Sequence, residues 1–289
     1  MAGLLTRFIP RRFRSKEIEI PVVRLHGTIM PGGSSLRPTL SLESAAAVLE
    51  KAFADNEAPA VAISINSPGG SPVQSRLIYR RIRDLADEKQ KKVYVFAEDV
   101  AASGGYMIAV AGDEIIADPS SIVGSIGVVS SSFGFTGLLK KIGVERRVYT
   151  AGENKATLDP FQPEKLEDVE RLKSLQLEIH QTFIDMVKAR RGAKLADDAD
   201  LFTGLFWTGI KAKELGLIDA LGDMRSFLRK SYGDKVKLKL IEPKRGLLGR
   251  KAPGIGIGLS ADPAAIAAHL GDGLLSVAEE KALWGRYGL

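Results

Sequence analysis

Along residues 18–241, segments with the apolar pattern of strands take turns with segments in which apolar residues recur at helical spacing. Short runs rich in branched residues predict strands at 18–25, 61–65, 93–97, 114–117, 122–129, 145–150 and 235–241. Apolar residues at helical spacing predict helices at 41–54, 73–87, 103–111, 136–142, 163–191, 208–215 and 223–232. The nearly all-apolar run at 61–65 is typical of a strand buried on both faces of a parallel sheet. Repeated strand–helix units with short connections predict an α/β fold with right-handed crossovers.

Both ends of the chain differ from this regular part in charge. We predict a basic N-terminal arm at 1–17, one domain at 18–242 and a tail at 243–289, with a docking helix at 264–270. Much of the net charge of +6 lies near these ends. Basic arms suit an anionic membrane surface or a nucleic acid, and they also occur as plain solvated ends. Few aromatic residues accompany the basic ones, which argues against nucleic acid.

The sequence shows no membrane span. No run reaches the ~18–20 apolar residues that a bilayer requires, and Arg7 and Pro10 interrupt the only stretch that resembles a secretory signal. A short amphipathic foot carrying Leu4, Leu5 and Phe8 stays open. We therefore expect a cytoplasmic protein, or one bound peripherally to the inner membrane.

Residue counts exclude several kinds of chemistry. The chain has no cysteine, so disulfides, thiolate nucleophiles and cysteine-ligated zinc are ruled out. Three histidines (His26, His180 and His269) argue against a histidine-rich metal site. We expect no metal and no cofactor.

Two glycine-rich segments follow predicted strands. The run Asn66-Ser67-Pro68-Gly69-Gly70-Ser71 can build a concave site of backbone N–H donors at the carboxyl edge of a sheet, or it can be a plain turn. The run 101–106 places Ser103 at a helix start between small residues. There its hydroxyl is accessible beside the positive end of the helix, although serine at such a position is most often only an N-cap. A third segment carries Lys155 in a loop, where lysines are usually solvated.

Together these segments resemble the signal peptide peptidase A family, within the ClpP/crotonase-like superfamily. The resemblance covers about residues 18–235 and depends on four stretches in the same order: SINSPGGS at 64–71, AEDVAASGGYMIAVAGDEIIADPSSIVGSIGV at 97–128, GENK at 152–155 and LFTGLFWTGIKAKELGLID at 201–219. It implies a ClpP/crotonase-like α/β fold with a long helix in the C-terminal half. It also implies homo-oligomers and peptide substrates, including spent signal peptides.

The resemblance also implies a role for each of five residues. Ser103 would be the nucleophile and Lys155 the general base, with Ser125 orienting the lysine amine. The backbone amides of Gly70 and Gly104 would form the oxyanion hole. Such a pairing is a known variant of the catalytic triad, and it requires a lysine that is held neutral in a desolvated site. A carboxylate at Glu153 would oppose that state unless it points away.

Three alternatives bear on this assignment. The related ClpP proteases use a Ser-His-Asp site in which the histidine lies soon after the nucleophile, and residues 114–133 contain no histidine. A crotonase-type acyl-CoA enzyme shares the fold and the glycine-built oxyanion hole, but it uses carboxylates at the reactive carbon and lacks the GxxK element. A membrane-associated scaffold without activity would not require the serine and lysine that are both present here.

Overall fold

The computed structural model describes residues 17–33, 39–242 and 281–288. Their main feature is one eight-stranded sheet. The strands are β1 (Glu19–His26), β2 (Ala60–Ser67), β3 (Lys92–Ala102), β4 (Glu114–Ala117), β5 (Ile122–Gly124), β6 (Phe206–Thr208), β7 (Ala220–Leu221) and β8 (Lys237–Leu240). Their order is β6-β5-β3-β2-β1-β8, and β4 pairs with β3 while β7 pairs with β4. Only the β5–β6 pair is antiparallel.

Helices cover the two faces of the sheet unequally. The helices are α1 (Leu42–Phe53), α2 (Pro72–Lys89), α3 (Gly104–Ala109), α4 (Thr136–Ile142), α5 (Leu166–Arg191), α6 (Gly209–Glu214) and α7 (Met224–Tyr232). The main apolar core lies between the sheet and helices α1, α2, α3 and α5. A smaller core on the opposite face packs against α7. This arrangement confirms the predicted α/β class.

Local sequence accounts for how the first two helices begin. Ser41 caps α1 through a capping box with Ser44. Pro72 stands in the first turn of α2, where its missing N–H costs nothing, and Ser71 caps that helix. Helix α2 therefore begins directly after the Gly69-Gly70 pair, which fixes this loop at the carboxyl edge of the sheet.

Several predicted boundaries were wrong. Strand β3 continues to Ala102, five residues beyond the predicted end at 97, because its second half pairs with β5 after its first half has paired with β4. The strand predicted at 145–150 does not form, and these residues have no regular structure. Helix α5 begins at Leu166 rather than at 163. The predicted helix at 264–270 and nearly all of the arm at 1–17 lie outside the described residues.

Helix α5 is tied to the core by a buried ion pair. Arg191, which is 4% exposed, donates hydrogen bonds to both carboxylate oxygens of Asp219 at 2.8 and 3.2 Å and to the carbonyl of Gly216 at 2.8 Å. Such planar, bidentate pairing is the geometry that makes a buried charge tolerable. It holds the C-terminal end of α5 against the turn that enters β7.

Candidate active site

Ser103 lies at the sharp turn between β3 and α3. Its backbone angles are φ 53° and ψ −121°, which only glycine adopts without strain. Ser103 occupies the N-cap position of α3, but its side chain makes no capping hydrogen bond. The interpretation of Ser103 as a simple helix cap is therefore wrong. A serine at a strained strand-to-helix turn is the arrangement that presents a nucleophilic hydroxyl in hydrolases of other folds.

The loop at Gly69-Gly70 touches this turn. A Cβ placed on Gly69 would lie 2.8 Å from the amide nitrogen of Gly104 and 2.8 Å from the Cβ of Ser103. Gly69 and Gly70 have φ values of +103° and +138°. Glycine at position 69 is therefore required for the two loops to meet, whereas a Cβ on Gly70 would lie 2.2 Å from the carbonyl oxygen of Ile29.

The Gly104 amide nitrogen, predicted to belong to the oxyanion hole, lies at this contact, and the Gly70 amide follows Gly69 directly in the chain. Within the described residues, neither the N–H of Gly70 nor that of Gly104 has an acceptor. Gly104 is the first residue of α3, so its N–H belongs to the group that a helix leaves unpaired. Unpaired donors beside a hydroxyl are what the charge of a tetrahedral intermediate requires.

Ser125 reaches the site through the backbone of β5. The carbonyl of Gly124 accepts the N–H of Ser103 at 2.8 Å, and the N–H of Ser125 donates to Leu205 at 2.7 Å. Ser125 is 3% exposed and, like Ser103, has a φ of 53°. Within the described residues, its hydroxyl has no hydrogen bond to Ser103 or Lys155. The structure thus places Ser125 one residue from a direct backbone contact of the predicted nucleophile.

Lys155 is the one predicted site residue that does not join the cluster. It lies in an exposed turn after Gly152, and its amine makes no hydrogen bond or ion pair within the described residues. Glu153 is also exposed and does not pair with it. Four of the five predicted residues therefore lie in or beside the two touching turns, whereas the amine of Lys155 makes no hydrogen bond with any of them among the described residues.

The segment that carries Lys155 exposes large apolar side chains. Tyr149 is 90% exposed and Phe133 is 74% exposed, and on the neighbouring α5 Leu166 is 78% exposed. Other exposed large apolar side chains between residues 129 and 177 are those of Val129, Leu138, Ile142, Val144, Leu175 and Leu177. Exposed apolar side chains that form a contiguous patch are typical of interaction sites.

The two histidines that the structure describes, His26 and His180, contact groups other than Ser103. The ring of His180 donates from Nε2 to the carbonyl of Ile126 at 3.0 Å, which ties α5 to the residue after Ser125. His26 lies 2.8 Å from the hydroxyl of Ser64 and 3.5 Å from the carboxylate of Glu98. No group of three potential metal ligands occurs in the part of the chain that the structure describes.

Tyr287 packs beside the site and was not predicted from the sequence. Tyr287 is 8% exposed and packs with Val100 and Ala102, directly before Ser103. Its ring meets that of Phe206 edge-on at 5.0 Å, and its hydroxyl lies 3.5 Å from the carbonyl of Pro68. No spacing rule connects residue 287 with residues 68, 102 and 206, so only the tertiary structure reveals this cluster.

A strained serine turn that abuts a glycine loop with free amides defines a serine hydrolase site on an α/β sheet. Comparison with known proteins gives the family. Residues 86–237 match the model of Peptidase family S49, and the chain belongs to this family of serine-type peptidases. Membership confirms the resemblance described above and favours a peptidase over a crotonase-type acyl-CoA enzyme.

Two relatives named as proteases agree with this assignment, and a third relative carries a different name. The chain is 34% identical over 213 residues to the chloroplastic serine protease SPPA of Arabidopsis thaliana, covering 71% of this chain and 31% of that protein. It is 33% identical over 214 residues to protease 4 of Haemophilus influenzae, covering 74% and 34%. It is also 80% identical over 290 residues to a Brucella abortus protein named Na(+)/H(+) antiporter NhaA, covering all of this chain and 39% of that protein.

The chain thus spans only 31% to 39% of the length of these three relatives. The Peptidase family S49 match lies inside the part shared with the Brucella protein. Among the described residues, no helix combines the length and the apolar character that crossing a membrane demands.

Proposed function

We propose that this chain is a serine endopeptidase in which Ser103 is the nucleophile and Lys155 the general base. The observation that carries the proposal is the strained turn at Ser103, held against the Gly69-Gly70 loop, with the N–H groups of Gly70 and Gly104 unpaired among the described residues. The substrates that we propose are signal peptides and other membrane-derived peptides, as the family resemblance implies.

The chemistry follows from these groups. A neutral Lys155 amine takes the proton of the Ser103 hydroxyl as the oxygen attacks the scissile carbonyl carbon. The amides of Gly70 and Gly104 donate to the oxyanion of the tetrahedral intermediate. Collapse of the intermediate expels the amine, which receives the proton from the lysine. Water then hydrolyses the acyl-enzyme with Lys155 again as the base, and Ser125 orients the lysine amine throughout.

Lys155 must move, or come from another copy of the chain, to perform this role. In the single chain its amine is exposed and has no contact with Ser103. The apolar surface around residues 129–177 gives a reason for association, because burying side chains such as Tyr149 and Leu166 removes them from water. We propose a homo-oligomer in which this surface is buried and Lys155 reaches a Ser103 hydroxyl.

Paired substitutions test the mechanism. Ser103→Ala and Lys155→Ala should each lower turnover of an apolar peptide ester or amide by at least about 1,000-fold, as removal of a nucleophile or its base does elsewhere. A fluorophosphonate probe should label the wild-type chain and not Ser103→Ala. Matched controls are Ser231→Ala and Lys230→Ala, because both residues are exposed on α7, outside the surface proposed to be buried in the oligomer. Full activity in Ser103→Ala would refute the mechanism.

Co-expression of the two inactive variants tests the origin of the lysine. If Lys155 of one copy serves Ser103 of another, mixed oligomers should recover up to about a quarter of wild-type activity, because one site in four combines both intact residues. If each chain uses its own lysine, the mixture stays inactive. An active wild-type protein that sediments only as a monomer would overturn the oligomer proposal.

The basic residues near both ends of the chain suggest where in the cell the protein is located. We propose that it lies in the cytoplasm or peripherally on the inner membrane, with its basic arm on anionic lipid. Full-length protein should float with vesicles that contain phosphatidylglycerol and not with pure phosphatidylcholine vesicles. Binding should weaken at high salt, because screening reduces surface electrostatics. Equal binding to both vesicles would exclude this arrangement.

A further inference from the structure

The β2–β3 ladder is interrupted once, immediately before the candidate active site. Ile65 pairs with Ala97 and Ser67 pairs with Ala101, so the three residues 98–100 stand opposite the single residue Asn66. Strand β3 therefore carries two extra residues at this point. A bulge of this kind leaves backbone groups without ladder partners and changes where the rest of the strand is aimed.

The side chain of Asn66 closes this gap. Its Oδ1 accepts the N–H of Val100 at 3.1 Å, and its Nδ2 donates to the carboxylate of Asp99 at 2.7 Å. Its backbone carbonyl accepts the N–H of Gly27 at 2.9 Å. An amide side chain has a donor and an acceptor on adjacent atoms, so it can substitute for a peptide group in the ladder.

Neighbouring side chains fix the rest of the bulge. The hydroxyl of Ser64 donates to the carboxylate of Glu98, and the hydroxyl of Ser121 donates to the carbonyl of Glu98. Ser64 and Ser121 are buried, whereas Glu98 and Asp99 are exposed. The bulge is thus a defined conformation with partners on both sides.

The side chain of Asn66 with its hydrogen bonds to Asp99 and Val100, here called the clamp, lies equally close along the chain to both halves of the site. Gly69 follows Asn66 by three residues, and Ser103 follows Val100 by three residues. Gly69 and Ser103 are the residues whose backbones meet so closely that no Cβ fits between them. If the separation of Asn66 and Val100 changes, Gly69 and Ser103 shift relative to each other, because each lies only three residues beyond the clamp.

We propose that Asn66 is a positioning residue that sets the Gly70 amide against Ser103 and Gly104. This inference depends on the proposed function, since it concerns the geometry of the same nucleophile and oxyanion hole. Asn66 touches neither the substrate nor the reacting atoms in this role. It acts through the bulge, by fixing the relative position of the two loops that do.

Asn66→Ala removes the clamp and should lower kcat by about 10- to 100-fold, because misplacement by about 1 Å can cost that much. The KM for the peptide should change little. The rate of Ser103 labelling by a fluorophosphonate should fall in parallel with kcat. Asn56→Ala is the matched control, since Asn56 is an exposed asparagine in the α1–β2 connection. An unchanged kcat and labelling rate in folded Asn66→Ala would refute the inference.

A reciprocal exchange separates positioning from general damage to the fold. Asn66→Asp keeps the acceptor for Val100 but sets a second carboxylate against Asp99, and it should be as slow as Asn66→Ala. Adding Asp99→Asn restores one donor and one acceptor in reversed order, and kcat should return to within about threefold of wild type. Asp99→Asn alone should stay close to wild type. Failure of the double variant to recover, with a melting curve like that of wild type, would overturn the proposal.

The outcomes of the two proposals are distinguishable. If Ser103→Ala retains activity, the proposed peptidase mechanism fails, whatever Asn66 does. If Ser103→Ala is inactive and unlabelled while the Asn66 variants keep wild-type kcat, only the positioning role fails.

Discussion

The hydroxyl of Tyr106 donates a 2.7 Å hydrogen bond to the carbonyl of Leu217, 111 residues later in the chain. Tyr106 is fully buried, and it stands three residues after Ser103 on the short helix α3. This bond anchors α3 to the turn before β7, which in turn holds Asp219 and its partner Arg191. The helix that follows the nucleophile is therefore fixed from the far side of the core.

Tyr106→Phe should destabilise the chain by about 1–3 kcal/mol, because it leaves the buried Leu217 carbonyl without a partner. Urea unfolding measures this change. Tyr232→Phe is the control, since its hydroxyl lies 3.2 Å from that of Tyr94 in a partly buried pair, and its loss should cost about 1 kcal/mol or less. Equal effects of the two substitutions would argue against the anchoring role.

Ser103→Gly should abolish activity and still raise the free energy of unfolding by about 1 kcal/mol. Glycine adopts φ 53° and ψ −121° without the strain of about 1–3 kcal/mol that a side chain incurs, and its greater unfolded-state entropy cancels part of the gain. Ser103→Ala keeps the strain, so its stability should match wild type within about 0.5 kcal/mol. Chemical denaturation of wild type, Ser103→Gly and Ser103→Ala measures these differences. A Ser103→Gly variant less stable than wild type would contradict the assignment of strain.

Gly69→Ala should remove activity and destabilise the chain by about 2–4 kcal/mol. The new Cβ would lie 2.8 Å from both Gly104 N and Ser103 Cβ, at a φ of +103°. Gly143→Ala is the control, because Gly143 has a φ of +68° but no atom within 4 Å of the position that a Cβ would occupy. That variant should cost about 1–2 kcal/mol from the backbone alone and remain active. Similar activity in both variants would show that the two loops need not touch.

Stability should fall in acid partly through Asp219. Burial alone would raise the pKa of this carboxyl, but hydrogen bonds from Arg191, Lys194 and the Ile115 amide outweigh burial and hold the pKa below its ordinary value of 3.8. A carboxyl with a lowered folded-state pKa stabilises the fold above its unfolded pKa, and this contribution is lost as the pH falls through the folded pKa.

Asp219→Asn should therefore reduce the free energy of unfolding at pH 7 and flatten its decline below about pH 4. Urea unfolding at a series of pH values tests this expectation. Asp185→Asn on α5 is the control, because Asp185 accepts a hydrogen bond only from Gln181 in an exposed pair. A parallel acid decline in wild type and Asp219→Asn would exclude Asp219 as the source.

The sequence predicted the layers of the fold better than the edges of its elements. Strands such as β2 carry their own signal, because a run of buried branched residues has few other uses. The extension of β3 to Ala102 was not predictable, since it depends on a change of partner from β4 to β5. The strand expected at 145–150 contains the strand-favouring residues Val148, Tyr149 and Thr150, but no neighbouring strand among the described residues pairs with it.

The candidate site also has residues that the sequence predicts and residues that only the tertiary structure reveals. Gly70, Ser103 and Gly104 follow strands that are neighbours in a parallel sheet, so local motifs and topology together bring them to one edge. The contribution of Asn66 depends on a two-residue bulge that no periodicity reveals. Lys155 was selected by resemblance alone, and its contact with Ser103 stays a prediction.

Backbone dihedral angles alone identify the segments of the candidate site, without any comparison with the family. Among the described residues, four that are not glycine have positive φ: Gln90, Ser103, Ser125 and Leu158. Gln90 ends α2 in the usual left-handed cap. The two serines are the predicted nucleophile and its neighbour across β5, and Leu158 follows Lys155 by three residues. A map of conformational strain thus marks the same three segments as the chemistry, and it can be drawn for any structure whose relatives are unknown.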